Sequence, residues 1–259
     1  MPINVSKVFI MKALGIIGYH QTGKTTVATN LIAELTKDGY NVCSIKDIHS
    51  EKYHCDTIGK NTNLHTQAGS KAVFAKGLYD SALLFPESLD LKEMVSFLKA
   101  DYLIIEGLKD APVPKIVCAE NIEQLNELGD DTCICISGKI ACEINSYKGI
   151  PCLCLPQDLA KMTALVKEKC FAILPLSDPQ CCSSCGKDCY TMAGDIVQGR
   201  AKRSNCVLDN DTGLKLWVAD QEVIIVPFVQ KLLQDIVISF VNNLKDIDPE
   251  GNIKLEIKR

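Results

Sequence analysis

Gly18-Tyr19-His20-Gln21-Thr22-Gly23-Lys24-Thr25-Thr26 fills every fixed position of G-x-x-x-x-G-K-[ST]. Residues of these types at this spacing grip a phosphate chain. Backbone N–H groups and the positive end of the following helix surround the phosphates, Lys24 reaches the β- and γ-phosphates, and the Thr25 hydroxyl takes magnesium. A carboxylate ending a buried strand is the usual complement, holding the magnesium shell or orienting the attacking water. Glu106, at the end of Asp101-Tyr102-Leu103-Ile104-Ile105, is the candidate. Lys24 and Glu106 are therefore the expected catalytic groups, and Thr25 with Glu106 the expected magnesium ligands. Lys46 and His49 follow another apolar run, at the strand edge that faces the ligand crevice in an open parallel sheet. In that position they are candidates to meet the terminal phosphate or a second substrate, although a solvated loop would carry the same residues.

A second constellation is built from sulfur. Cys182-x-x-Cys185-x-x-x-Cys189, with Cys206 sixteen residues further on, offers four thiolates on one short polar stretch. Four thiolates suit an iron–sulfur cube or a structural zinc, and unligated thiols are the third reading. Cys181 adjoins Cys182, and consecutive side chains point apart, so one of the two is a spare. The chain has 14 cysteines, but without an export signal thiols and metal ligation fit better than disulfides. Cys43, Cys118, Cys133, Cys135, Cys152, Cys154 and Cys170 lie in or beside apolar segments and are expected in the core. Cys133/Cys135 and Cys152/Cys154 are C-x-C pairs in alternating segments, which would put both sulfurs of a pair on one face. The four histidines, His20, His49, His54 and His65, match no tetrahedral zinc spacing.

The elements that must position these groups are legible in the hydrophobic pattern. A strand over Ala13–Ile17 enters the glycine loop, and a helix with Val27, Ala28, Leu31, Ile32 and Leu35 on one face leaves it. Gly39 stops that helix, and Val42–Ile45 is a second strand. Residues 54–70, which include Asp56, read as a long polar, glycine-punctuated loop of the switch or binding kind. Ala82–Phe85 is expected as a short buried strand and Leu89–Lys99 as an amphipathic helix. Pro112-Val113-Pro114 bends the chain into a strand at Lys115. Cys133–Ile136 and Cys152–Leu155 are expected as core strands, the second followed by a helix from about Gln157. Leu214–Val218 and Glu222–Val226 read as a hairpin about an Ala-Asp-Gln turn, and Pro227 opens a helix with a broad apolar face. That face should cover the hairpin, dock on the first domain or form a dimer contact.

The fold class expected is α/β: a P-loop NTPase with a mainly parallel sheet flanked by helices, plus a small α+β iron–sulfur domain. The division expected is a nucleotide-binding domain over 1–173, a linker over 174–180, the cysteine domain over 181–245 and a loose tail over 246–259. The 259 residues, 47% of them hydrophobic, suffice for a sizeable core plus an appendage. A net charge of −4 gives no broad basic field, which disfavours nucleic acid and anionic membrane as partners. Val8–Met11 is too short for a signal-peptide core and no segment is long enough to span a bilayer, so a cytoplasmic protein is expected.

Taken together, the loop at Gly18–Thr26, Ile45-Lys46-x-x-His49, Asp56-x-x-Gly59-Lys60 before Ala68-Gly69, Glu106-Gly107-x-Lys109 and Pro114-Lys115-Ile116 resemble one family. It is the B protein of molybdopterin-guanine dinucleotide biosynthesis, and the likeness covers about residues 13–170. The resemblance implies a GTP-binding, weakly GTP-hydrolysing accessory protein of molybdenum and tungsten cofactor maturation, using magnesium. It also implies a guanylyltransferase and molybdo- and tungsto-enzyme maturation factors as partners, and a homodimer. Gly18 to Thr26 with Lys46, His49 and Asp56 would form the nucleotide side. Asp47-Ile48 departs from the family's His-Thr-like pair, and Ser137-Gly138-Lys139 stands where an Asp is often found. The region from Cys182 to Cys206 resembles the four-cysteine iron–sulfur domain of electron-transfer and corrinoid proteins. That likeness implies a [4Fe-4S] cluster on Cys182, Cys185, Cys189 and Cys206, although the Cys185–Cys189 loop is one residue short. An ATP-dependent iron–sulfur reductase or metal-cluster assembly factor, and a non-enzymatic nucleotide-dependent adaptor, are the alternatives.

Overall fold

The computed structural model describes residues 11–176, 185–206, 214, 216–218, 221–223, 227–244 and 253–255. In chain order these form β1 (Lys12–Gly18), α1 (Lys24–Lys37), β2 (Val42–Lys46), α2 (Asn61–Gln67), β3 (Val73–Lys76) and β4 (Ser81–Leu84). There follow α3 (Leu91–Ser96), β5 (Tyr102–Glu106), β6 (Lys115–Cys118), α4 (Ile122–Leu128), β7 (Cys133–Ser137), β8 (Ser146–Tyr147), β9 (Ile150–Pro151) and α5 (Leu159–Lys169). The last are α6 (Cys189–Val197), β10 (Leu216–Val218), β11 (Gln221–Val223) and α7 (Pro227–Val241). No helix among the described residues is long and apolar enough to cross a membrane.

Five strands pair in parallel in the order β2-β5-β1-β6-β7. β5, β6 and β7 are buried along their whole length, which is why they read as continuous apolar runs rather than alternating ones. The C-terminal ends of all five strands place Gly18, Lys46, Glu106, Cys118 and Ser137 along one edge. On one face Leu14 and Ile16 of β1 pack against Val27, Leu31 and Leu35 of α1 and Met162 and Val166 of α5. Burying three such α1 side chains contributes roughly 5–8 kcal/mol before chain entropy is counted. The other face holds Ile17 and Val117 against α4, and Ala13 and Leu103 against α3. α3 starts where Asp90 and Glu93 exchange a reciprocal capping pair, and it is shorter than the Leu89–Lys99 pattern implies.

Several expectations are corrected. Ser81–Leu84 is an exposed arm of a separate β3–β4 hairpin, with Phe74 69% exposed, not a buried strand. A four-residue apolar run has too little period to separate the two cases. The expected loop over 54–70 contains α2. Cys152–Leu155 is not a strand: one bridge, Ile136 to Cys152, and a bond from Leu153 N to Ile136 O at 2.9 Å tie it to β7. In β7 the register slips, so that Lys115 pairs Cys133 and Ile116 pairs Cys135. This bulge at Ile134 sends Cys133 to the core beside α4 and Cys135 to the core beside α1 and α5, so the pair does not share a face. Burial holds the thiols of Cys118, Cys133 and Cys170 up at about 12, so they stay protonated and behave as apolar packing.

Cys154 is a further correction. It forms a disulfide with Cys142, because a short 3-10 turn and the β8–β9 hairpin fold the chain back and bring the two Cα atoms to 4.9 Å.

The chain divides into two compact units. The first takes residues 1–176 and 189–203, and the second 177–188 and 204–259. Within the first unit Leu174 is fully buried, and Arg203, after α6, donates from its guanidinium to the carbonyls of Ala172 and Ile173. In the second unit β10 and β11 pair with Leu216 opposite Val223, so Gln221 is a strand residue rather than part of the turn. Val229, Leu232, Ile236 and Phe240 of α7 are exposed. Cys181, Cys182 and the tail beyond 255 lie outside the described residues.

The least expected core residue is Lys115 of β6, whose side chain is 0% exposed. Its Cγ lies over Gly15, where a Cβ would stand 3.1 Å away, and its ammonium sits 4.0 Å over the Tyr190 ring of α6 and 4.0 Å from Asp130 Oδ2. Lys115 donates to the Tyr190 hydroxyl, which in turn donates to Asp130. Burial lowers the Lys115 pKa to about 8 against the opposing pull of Asp130 and Asp110. Between that value and the ordinary 10.5 the unfolded chain keeps a proton the fold has lost, so this position contributes more stability as pH rises. Tyr190, raised by burial and by Asp130, works the other way above pH ~10. We expect the stability of the wild type relative to Lys115→Met to improve by about 2 kcal/mol between pH 8 and 10 in denaturant titrations, the shared cysteines cancelling. A difference independent of pH would contradict this.

Candidate functional site

β1 is flanked by β5 on one side and β6 on the other, so its C-terminal end is the point where the sheet order reverses. There the chain turns through Gly18 (φ 156°), Gln21 (φ 62°) and Gly23 (φ 95°) into α1. Gly18 has no room for a side chain, since a Cβ would meet the Cys118 carbonyl at 2.3 Å and Thr22 Oγ1 at 2.5 Å. Thr22 Oγ1 donates to Tyr19 O at 2.9 Å and fixes the loop's curvature. Gly138, after β7, backs the loop so closely that a Cβ would lie 2.8 Å from the Thr22 carbonyl. No side chain caps the α1 N-terminus, which leaves its first-turn amides for a ligand.

The Lys24 ammonium donates to the Tyr19 carbonyl, folded over the loop it would leave to meet phosphate. His20 and Gln21 are exposed at the rim, and Thr26 lies in the first turn of α1, its carbonyl accepting from Asn30 Nδ2 at 2.8 Å. The Tyr19 hydroxyl donates to Glu127, and Lys109 lies 5.2 Å from the Tyr19 ring centre.

Beside the loop three expected residues meet. Thr25 Oγ1 donates to Glu106 Oε1 at 2.7 Å, Lys46 Nζ lies 3.1 Å from the same oxygen, and Lys46 donates to Thr25 Oγ1 at 3.2 Å. The Glu106 side chain is only 11% exposed. Two converging hard oxygens, one of them a nearly buried carboxylate, are the donor set that magnesium prefers, so these residues fit that ion.

Other expected residues stand apart from this triangle. His49 Nε2 is 2.6 Å from Asp47 Oδ2, a close approach that forms no hydrogen bond. Asp56 accepts from Thr57 N and Thr62 Oγ1, both at 2.8 Å, and so organises the turn into α2. Cys185 Sγ lies 3.3 Å from the Lys187 carbonyl, Cys189 begins α6, and Cys206 is buried. Among the described residues no three His, Cys, Asp or Glu side chains gather as a metal site, and Cys182 is not among them.

Two further neighbours of the site were not among the expected site residues: Asp47, whose Cβ comes within 3.0 Å of where a Gly107 side chain would start, and Gly138 behind the loop. The positive φ of both glycines, 108° and 85°, is the trace such close approaches leave, and a lone Gly after a strand is its sequence signal.

A glycine loop between a parallel strand and a helix, at the point where strand order reverses, defines a P-loop NTPase-like α/β fold. Residues 13–137 match the model of the family described as molybdopterin guanine dinucleotide synthesis protein B, MobB. A putative molybdopterin-guanine dinucleotide biosynthesis adapter protein of Methanocaldococcus jannaschii is 28% identical over 254 residues, covering 95% of this chain and 97% of that protein. A probable adapter protein of the same name from Bacillus subtilis is 28% identical over 140 residues, or 52% of this chain and 81% of that one. The crystal structure of Bacillus subtilis MobB superposes with a TM-score of 0.51 at 25% identity, covering 60% of this chain and 98% of that structure. Family match, relatives and structure agree on a likeness to MobB, the family model covering residues 13–137 of this chain.

Proposed function

We propose that this chain is a GTP-binding adapter in molybdopterin-guanine dinucleotide synthesis, hydrolysing GTP weakly as it works with a guanylyltransferase. The observation that carries the proposal is the meeting of Thr25, Lys46 and Glu106 within 3.2 Å of one another beside the phosphate loop. In this reading the amides from Tyr19 to Thr26 and the Lys24 ammonium neutralise the triphosphate. A magnesium ion held at this site would supply positive charge to offset that of the phosphates. Thr25 and Glu106 would hold that ion, and Glu106 accepts the charge contact that keeps Lys46 at hand. His49 and Asp56 would border the second substrate. Cys182, Cys185, Cys189 and Cys206 are proposed to hold a [4Fe-4S] cluster on the strength of their spacing. A homodimer in the cytoplasm, serving molybdo- and tungsto-enzyme maturation, completes the proposal. The names of the relatives do not favour the ATP-driven reductase.

The test is guanylylation of molybdopterin by a purified guanylyltransferase, with and without the anaerobically prepared protein. Stimulation with GTP that Lys24→Ala fails to reproduce, together with ~4 iron and ~4 sulfide per chain, is the expected result. Equal rates in all arms would overturn the adapter reading. Near-stoichiometric zinc without iron would overturn the cluster.

A further inference from the structure

Lys46 is the last residue of β2, and in the parallel register it pairs with Glu106, the last of β5. Register partners in a parallel pair project from the same face at neighbouring positions, so the two side chains leave the sheet edge together. The ammonium reaches both oxygens that the magnesium reading requires, Glu106 Oε1 at 3.1 Å and Thr25 Oγ1 at 3.2 Å. A metal ion would approach the same oxygens to ~2.1 Å, and two cations cannot share them at those distances without strong repulsion. The Lys46 side chain is 53% exposed, and an ammonium on a flexible four-carbon stem can leave without moving the backbone.

We propose that Lys46 is a tethered counter-ion that holds Glu106 and Thr25 in place and competes with the divalent metal for them. When a metal enters, Lys46 must give up both contacts, and a triphosphate in the adjoining loop is the anion that receives it. Metal alone therefore binds weakly, because displacing the ammonium is uncompensated. Metal and triphosphate together bind well, because the ammonium changes partners. The coupling is reciprocal, so nucleotide raises metal affinity by the factor by which metal raises nucleotide affinity. The phosphate half of this proposal rests on the nucleotide reading above; the competition for Glu106 and Thr25 does not.

The experiment titrates Mn2+ into the full-length wild type, Lys46→Met and Lys46→Arg, reading unbound Mn2+ by electron paramagnetic resonance, first alone and then with a saturating non-hydrolysable GTP analogue. Thermal melts check that all three are folded. Without nucleotide, Lys46→Met should bind Mn2+ roughly two- to fivefold more tightly than the wild type, the scale of a half-exposed ion pair, and Lys46→Arg should resemble the wild type. With nucleotide, the gain in Mn2+ affinity should be smaller in Lys46→Met. Equal or weaker Mn2+ binding by Lys46→Met alone, or none by any variant, overturns the proposal. Failure of the wild type to bind the analogue sinks the nucleotide reading instead, while the metal-only arm still decides whether Lys46 competes.

Discussion

Lys24→Ala is expected to weaken GTP binding by roughly 100- to 1,000-fold, the scale of removing a charge-assisted hydrogen bond from a preorganised site. The fold should hardly register the change. Lys24 is half-buried at the start of α1, and its ammonium meets a carbonyl of its own loop, so the melting temperature should stay within about 2 °C. Retained affinity would show that the loop amides suffice without the ammonium. A large drop in melting temperature would show that the bond to the Tyr19 carbonyl is structural.

Gly18→Ala should do the reverse and damage the fold as well as the site. A methyl there meets the Cys118 carbonyl at 2.3 Å, and backbone at the centre of a parallel sheet cannot move aside cheaply. Either β1 and β6 separate at their ends, or the loop abandons the curvature set by Thr22 and Tyr19. We expect a loss of about 3 kcal/mol or more, with nucleotide binding abolished. Gly23→Ala is the informative control, since a Cβ at Gly23 meets nothing within 4 Å and only its φ of 95° is strained. It should cost about 1–2 kcal/mol. Equal losses at the two positions would remove the steric argument and leave only backbone strain.

The parallel sheet and the phosphate loop were legible because their signals are long or chemically unambiguous. Leu14–Ile17 and Leu103–Ile105 are apolar but for Gly15 since both faces of β1 and β5 are covered, and α1 repeats its apolar residues over almost four turns. Glu106 was legible for a related reason, as a carboxylate closing such a strand stands out. What escaped depends on contacts between segments distant in sequence. The bulge at Ile134 is set by how β7 meets β6, so the alternation of Cys133 and Cys135 pointed to the wrong geometry. That Lys115 opens a strand was legible, but its burial depends on Tyr190, seventy-five positions away, which covers it, and on Gly15, which leaves space beneath it. Asp47 was not singled out as a site residue beside Lys46 and His49, because its close packing on Gly107 and the burial of its Oδ2 appear only in the fold.

We propose that the turn from Gly18 to Thr26, with Thr25 and Glu106 beside it, grips a magnesium-bound guanosine triphosphate. Calorimetric titration of the full-length protein with GTP tests it most directly, run with magnesium and again with a chelator, with ATP as the comparison. One site per chain, binding GTP in preference to ATP and weakened when magnesium is withdrawn, is the result expected. Absence of heat and of competition by either nucleotide at millimolar concentration would contradict it.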